Sequence, residues 1–501
     1  MVNSQQRILG LRSWHDDWSG IRVAVLGLGV TGFSVADTLA ELGADVRVFF
    51  AAADPVRQQL LEVIGASAFE SDDESQQLDA LEEFNPELVI VSPGYRPDNS
   101  LVVWAEASIA VVWGDVELAW RLRDKTSKIA DWIAITGTNG KTTTTQLTAH
   151  MLVAGGLRAA PVGNIGVPIL DALRDPEGFD VLVVELSSFQ LERIHEISPF
   201  ASVCLNFSDD HLDWHGSREA YWRAKARVYQ NTQIACVYNR ADKQTEKMVV
   251  EAEVVEGARA ISFGLDTPGL SGLGVVEGIL CDRAFLEDRK NTALELTTIE
   301  ELAELGLDAP HLVQNILAAS ALARARGVSP EEISAALQEF ELDAHRSQLI
   351  AHADGISWVD DSKATNAHAA AASLRAHSSV VWIVGGLLKG TDVDTLVAES
   401  ASRLAGVVVI GMERVAIVQA VQRHAPNVPL IEVIPGETES IMVTAVDRAA
   451  FLAKPGDTVL LSPAAASMDQ FVDYADRGEQ FAAAVLTILG GEADGSSASR
   501  N

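Results

Sequence analysis

Cysteine is almost absent from this chain. Only Cys204, Cys236 and Cys281 occur in 501 residues, and their spacing makes neither a disulfide framework nor a metal knot. A reducing compartment, the cytoplasm, is the expected address. Basic charge is scarce too: 38 Lys and Arg stand against 70 Asp and Glu, a formal net charge of −32. That balance argues against a general nucleic-acid or anionic-membrane surface. No uncharged apolar run reaches the roughly 18 residues that suggest a membrane span. The N-terminus, through His15-Asp16-Asp17, lacks the apolar core of a signal peptide. What remains is an ordinary globular composition, 48% hydrophobic and 22% charged. The chain is long enough for about three domains.

Apolar runs alternate with amphipathic segments almost throughout, the pattern of parallel α/β domains. Strands are expected at 21–26, Val46–Phe50, Leu88–Ser92, Val111–Trp113, Val181–Glu185, Ala201–Asn206, Ile356–Val359, Val380–Val384, Val407–Ile410 and Thr458–Leu461. A helix is expected around His311–Ala325. Arg121–Lys128 reads as a charged connector, and Thr267–Asn291, with its clustered glycines and charges, as an irregular insertion. The Gly/Ser-rich tail from Gly490 predicts disorder. The implied domains are 1–124, 125–342 and 343–489, followed by the tail 490–501.

The most specific string is Ile133-Ala134-Ile135-Thr136-Gly137-Thr138-Asn139-Gly140-Lys141-Thr142-Thr143. A β-branched run ends in a glycine loop, and a lysine and hydroxyls then open a helix. Backbone N–H groups in such a loop, with the helix N-terminus behind them, cradle phosphate. Lys141 can reach β/γ-phosphates and Thr142 can offer its hydroxyl to Mg²⁺. The spacing is G-x-x-G-K-T, shorter than the general loop, because Ile135 occupies the place of its first glycine. ATP is the expected ligand.

A second glycine motif, Gly27-Leu28-Gly29-Val30-Thr31-Gly32, follows the first strand as a dinucleotide fingerprint would. Its redox reading wants an acid at the end of the second strand. That strand ends Val48-Phe49-Phe50-Ala51, with no acid until Asp54. A nucleotide diphosphate can still sit at this helix N-terminus, with Ser92-Pro93-Gly94 lining the same crevice. Glycines serving helix–sheet packing alone would look the same.

Val181–Glu185 is an apolar strand delivering one carboxylate, and a Mg²⁺ beside the phosphate loop would explain a charge there. In Asn206–His215, which again follows a strand, two acids flank His211, a set suited to metal coordination or to orienting an amine nucleophile. Lys225, between Arg223 and Arg227, reads from its neighbours as part of an ordinary basic helix face.

Together these strings resemble the Mur ligases, the ATP-dependent amide-forming enzymes of peptidoglycan assembly. The likeness runs from Gly27 to about Phe481. It rests on Thr136–Thr143, Gly163–Gly166, Glu185–Gln190, Asn206–His211, His345-Arg346, Asp361–Asn366, Gly385–Gly390 and Leu461–Phe471 with Arg477-Gly478. The resemblance implies an N-terminal Rossmann-like domain, a central P-loop ATPase-like domain and a C-terminal Rossmann-like domain. It also implies addition of D-glutamate to UDP-N-acetylmuramoyl-L-alanine through an acyl phosphate. Catalytic roles would fall to Lys141, His211 and Lys225. ATP would be held by Gly137, Thr138, Asn139, Gly140, Lys141, Thr142, Thr143, Asn315, Arg346 and Asp361. The UDP-substrate would meet Gly29, Val30, Thr31, Ser92, Gly94 and Asn164. D-Glutamate would meet Lys363, Thr365, Lys389, Ser467 and Tyr474, and Mg²⁺ would meet Thr142, Glu185, His211 and a carbamylated Lys225. The partners implied are these small molecules alone, bound by a monomer, with neither nucleic acid nor membrane.

Two departures stand out. The family's adenine-binding H-N-x-x-N reads His311-Leu312-Val313-Gln314-Asn315, and Tyr474 stands where Phe is common. Rival expectations are a sibling or folylpolyglutamate-type ligase, an NAD(P) oxidoreductase with an accessory ATP domain, and a catalytically silent nucleotide binder. The Asp-Asn-Pro-Arg string of the diaminopimelate- or lysine-adding relatives is absent.

Overall fold

The computed structural model describes residues 4–52, 55–388, 392–434, 438 and 440–490. Lys389 and residues 491–501 of the tail lie outside the described residues. Three β-sheets organise the chain, each wrapped by helices, so the mixed α/β class is as the alternating pattern predicts.

The first sheet holds β1 (Arg22–Leu26), β2 (Asp45–Phe50), β3 (Ser67–Glu70), β4 (Leu88–Val91) and β5 (Val111–Trp113). Its order is β3-β2-β1-β4-β5, all parallel. Strand order reverses between β1 and β4, which opens a crevice at their carboxyl ends. β4 is buried along its whole length, as a strand covered on both faces must be.

The second sheet holds β6 (Asp131–Thr136), β7 (Ala159–Gly163), β8 (Val181–Glu185), β9 (Ala201–Cys204), β10 (Ala235–Asn239), β11 (Arg259–Phe263), β12 (Gly272–Val276), β13 (Ile279–Asp282) and β14 (Leu294–Thr298). Its order is β14-β13-β12-β11-β10-β9-β6-β8-β7. β6 thus lies between β8 and β9, and the ends of both flank the loop that leaves it. The insertion expected at Thr267–Asn291 is in fact largely this sheet's antiparallel edge, with β12 paired to β13 and β13 to β14. Glu277 (φ 51°) and Gly278 (φ 84°) form a two-residue hairpin turn that matches strand twist. Asp282, fully buried, anchors the edge to Arg324 Nε at 2.9 Å.

Arg121 also departs from expectation. It closes the helix Asp115–Arg121 instead of opening a solvated connector. Its guanidinium is buried, donating to Glu117 Oε1 at 2.9 Å and Leu11 O at 2.9 Å over the Trp113 ring.

The third sheet holds β15 (Gln348–Ala353), β16 (Ile356–Asp360), β17 (Val380–Gly385), β18 (Leu404–Ile410), β19 (Leu430–Glu432) and β20 (Thr458–Leu461), in the order β15-β16-β20-β17-β18-β19. Only β15 runs antiparallel to its neighbour. The first two sheets belong to one compact unit, Met1–Phe207 with Trp214–Phe340, and share a continuous core that includes Trp113 and Trp132. The third forms a second unit, Glu341–Asn501, to which the short segment Ser208–Asp213 belongs. Among the described residues no helix is long and apolar enough to cross a membrane.

Candidate active site

β6 ends at Thr136, and the helix Lys141–Ala154 begins after Gly140, whose φ of 81° only glycine adopts freely. Lys141 Nζ donates to Gly137 O at 3.0 Å and Thr138 O at 2.9 Å, so the ammonium lies over its own loop. Asn206, just beyond β9, clamps that loop from one side. Its backbone O accepts from Thr138 N at 3.1 Å, its Oδ1 accepts from Asn139 N at 2.9 Å, and its Nδ2 donates to Asn139 O at 3.1 Å. Asn315, on the helix Pro310–Ala325, stands behind Gly140: a Cβ added there would lie 2.4 Å from Asn315 Oδ1. Thr143 is buried and Thr142 half-buried in the first turn. Sequence reasoning quoted Asn206 within a motif but gave it no role. Its signal is topological, because only the β9-β6 neighbourhood brings it to the loop.

Glu185 approaches from the other side, at the end of β8, and is 1% exposed. Asn164 Nδ2 donates to its Oε1 at 2.9 Å. Its Oε2 is buried with no hydrogen-bond partner among the described residues. A carboxylate oxygen so placed is costly unless a cation completes it. Mg²⁺ takes one or two protein oxygens and fills the rest with water and phosphate, so the donor set Glu185 and Thr142 fits it.

Lys225 is 2% exposed on the helix Arg218–Ala226. Its Nζ donates to Gly137 O at 2.7 Å and Thr136 Oγ1 at 3.4 Å, and lies 4.9 Å from the centre of the Tyr221 ring. The basic face expected around it does not form. Arg223 is exposed and pairs with Glu219 at 3.2 Å, while Arg227 turns to the carbonyl of Leu191. Residues two apart on a helix do not share a face. Tyr221, another residue the sequence left unassigned, bonds Thr138 Oγ1 through its hydroxyl at 3.1 Å.

The crevice of the first sheet is a cavity of about 1020 Å³. Gly29, Val30, Thr31, Ser92, Gly94 and Asn164, all expected at a UDP-sugar, line it together. Asn164 is therefore shared: it faces the cavity and holds Glu185. Among the residues that line it unexpectedly are the polar Asp72, Glu74, Gln77 and Asn99.

In the second unit, His211 adopts φ 53° and its Nε2 lies 3.5 Å from Asp210 Oδ2, which also lies 3.5 Å from Asn366 Nδ2. Asp361 is buried: Ser347 N donates to its Oδ1 at 3.1 Å, Ser373 Oγ donates to its Oδ2, and Ser462 Oγ also donates to Oδ2, at 3.2 Å. Burial raises its pKa to about 6. Arg346 is near enough to pull it the other way. Lys363 Nζ lies 3.5 Å from the centre of the Tyr474 ring. Thr365 N donates to Lys363 O at 2.8 Å, and Ser467 is buried. Arg477, quoted in a motif but given no role, is buried and donates to Ser362 O at 2.8 Å and Ala465 O at 3.2 Å, tying the Lys363 turn to the segment leading to Ser467.

This geometry has counterparts. Residues 135–323 match the Mur ligase middle domain, and residues 345–465 the Mur ligase glutamate ligase domain. The chain is 63% identical over its whole length to the UDP-N-acetylmuramoylalanine--D-glutamate ligase of Leifsonia xyli subsp. xyli, covering 99% of that protein. It is 51% identical to the like-named protein of Streptomyces avermitilis over 94% of this chain and 98% of that one. Among solved structures, the UDP-N-acetylmuramate-alanine ligase MurC of Thermotoga maritima superimposes with a TM-score of 0.54 at 20% identity, covering 94% of this chain and 99% of that one. Full-length identity at this level, together with the two matched domains, means that the chain belongs to the Mur ligase family.

Proposed function

We infer that this chain carries out the reaction for which its relatives are named. It is an ATP-dependent ligase that adds D-glutamate to UDP-N-acetylmuramoyl-L-alanine in peptidoglycan precursor synthesis. The observation that carries the site assignment is the Asn164–Glu185 bond, which joins a nucleotide-sized cavity to the side of a phosphate loop.

A carboxylate is a poor electrophile, so the reaction first transfers the γ-phosphoryl group of ATP to the L-alanyl carboxylate, giving an acyl phosphate and ADP. Loop N–H groups of Gly137–Thr142 and the Lys141 ammonium take up charge on the transferred group. Asn206 keeps that loop in shape, and Asn315, beside Gly140, is proposed to contact ATP. Thr142 and Glu185 would hold Mg²⁺, which when bound draws phosphate charge and orients the γ-phosphoryl group. His211 and a carbamylated Lys225 are further proposed metal contacts; carbamylation turns a buried cation beside Gly137 O into an anion. The amine of D-glutamate, once deprotonated, attacks the acyl carbon, and phosphate leaves as the amide forms. Lys363, Thr365, Lys389, Ser467 and Tyr474 are proposed to grip the two carboxylates of D-glutamate. Arg346 and Asp361 are proposed to serve ATP, Arg346 directly, and Asp361 through the Ser347 turn it holds. The domain limits 1–124, 125–342 and 343–489, a monomeric state and a cytoplasmic address complete the reading.

The test is phosphate release from ATP with Mg²⁺, UDP-N-acetylmuramoyl-L-alanine and one amino acid at a time. Release that requires D-glutamate, with a product heavier by one glutamyl unit, supports the assignment. Release with another amino acid moves the substrate, and release with none overturns it.

A further inference from the structure

The end of β2 lacks the acid that a Rossmann-like crevice uses to hold a ribose: it reads Phe49-Phe50-Ala51-Ala52. Something else must read the nucleoside. β3 is the neighbour of β2, with Phe50 opposite Glu70, and Ser71 N donates to Phe50 O at 3.1 Å. The turn after β3 therefore stands beside Ala51, and it sends Asp72 and Gln77 into the lining of the cavity.

Two features make this turn a reader. Gln77 is 4% exposed; its Nε2 donates to Ser71 O at 2.5 Å, which fixes the amide, and its Oε1 is buried with no partner among the described residues. Gln77 lines the cavity, and a buried carbonyl oxygen left unsatisfied there is a defect unless a ligand N–H meets it. Of the carboxylates lining the cavity, Glu74 accepts from Asn99 and Asp98 pairs with Arg96 at 3.1 Å. Asp72 is exposed and makes no hydrogen bond or ion pair among the described residues.

Spacing supplies the direction. With strands about 4.8 Å apart, β3 lies about 10 Å from β1, the reach from a diphosphate to the base of its nucleoside. With a diphosphate at the Gly29–Thr31 helix N-terminus, the nucleoside reaches the Asp72 turn by running across the small Ala51 toward β3. The sugar end then runs the other way, toward Asn164 and Glu185.

We propose that the turn between β3 and the helix Glu74–Phe84 is the nucleoside reader of this site. Asp72 accepts from the ribose hydroxyls, and Gln77 Oε1 accepts from the N3–H of the pyrimidine. The proposal rests on the reading of the first domain as the UDP-sugar site. It explains selection of a uridine over a cytidine nucleotide, because cytosine N3 carries no proton to donate.

The experiment is steady-state turnover of UDP-N-acetylmuramoyl-L-alanine, its N3-methyluridine analogue and its 2′-deoxyuridine analogue. The unaltered protein is compared with Gln77→Met and Asp72→Asn, and melting temperatures are recorded alongside. The unaltered protein should show KM raised about 10-fold or more by either change to the substrate, with kcat within about threefold. Gln77→Met should lose discrimination against N3-methylation but keep it against 2′-deoxy, and Asp72→Asn should show the converse. Equal KM for all three substrates in the unaltered protein overturns the proposal while leaving the UDP-site reading intact. Discrimination that survives both variants overturns it as well. No turnover of the natural nucleotide overturns the underlying reading instead. Asp72 is exposed, so its variant reads the site even if Gln77→Met lowers the melting temperature.

Discussion

Asn164 donates to Glu185 Oε1 at 2.9 Å while Glu185 Oε2 has no described partner. One oxygen is aimed and the other is kept for a ligand. Removing the aiming group should therefore loosen the metal without removing its ligand. Asn164→Ala should raise the Mg²⁺ concentration for half-maximal rate about 10- to 100-fold. Glu185→Gln should lower kcat by about 100-fold or more. A Mg²⁺ titration at saturating ATP, D-glutamate and UDP-substrate reads both. An unchanged Mg²⁺ curve for Asn164→Ala would show that the hydrogen bond has no part in metal binding.

Two glycines of one motif should fail in different ways. A Cβ on Gly32 would stand 2.0 Å from the backbone O of Gly27, so the helix cannot approach β1 if it carries one. A Cβ on Gly29, at φ −76°, meets no atom within 4 Å. Gly32→Ala should lose several kcal/mol of stability, on the order of 3. Gly29→Ala should melt within about 2 °C of the unaltered chain yet raise KM for the UDP-substrate, since the free space belongs to the diphosphate. Calorimetry and kinetics on the two variants separate packing from binding. Equal melting losses would contradict the division.

Lys363 sits over the ring of Tyr474, its Nζ 3.5 Å from the ring centre. Tyr474→Phe should leave KM for D-glutamate within about twofold, whereas Tyr474→Ala frees the lysine and should raise it about 10-fold. Should Phe and Ala behave alike, the hydroxyl matters and the stacking argument fails.

Local pattern made much of this molecule legible. The strands Val111–Trp113, Val181–Glu185 and Thr458–Leu461 stand where their apolar runs lie, because buried parallel strands are continuous hydrophobic segments. The hairpin β12–β13 was not legible. Its turn uses Glu277 where Asn or Asp would signal it, and the first charges after it are tied into the fold: Asp282 is buried and Arg283 donates to carbonyls of Pro268 and Arg289. Arg121 was misread for the same reason, since a sequence does not reveal which guanidinium is buried against Glu117. At the site, Lys141 and Glu185 were visible from a strand and its last residue. Asn206, Tyr221, Asp72 and Gln77 act through strand order, which no single segment encodes.

Asp115 supplies the last prediction. It opens the helix Asp115–Arg121, and its Oδ2 accepts from Gln190 Nε2 at 3.0 Å while Oδ1 is buried without a described partner. Gln190 in turn caps the short helix that follows Glu185. Burial raises the Asp115 pKa from 3.8 to about 6, with the Gln190 bond opposing. The folded state thus holds this proton more tightly than the unfolded state. The stabilisation is fully present below about pH 4 and is lost as pH rises through about 6, on the order of 3 kcal/mol in all. Asp115→Asn keeps a carbonyl for Gln190 and cannot ionise. The melting temperature of the variant minus that of the unaltered protein should therefore climb between pH 5 and pH 8, by a few degrees. A difference that stays flat across that range would place the Asp115 proton elsewhere and remove the pH dependence from this contact.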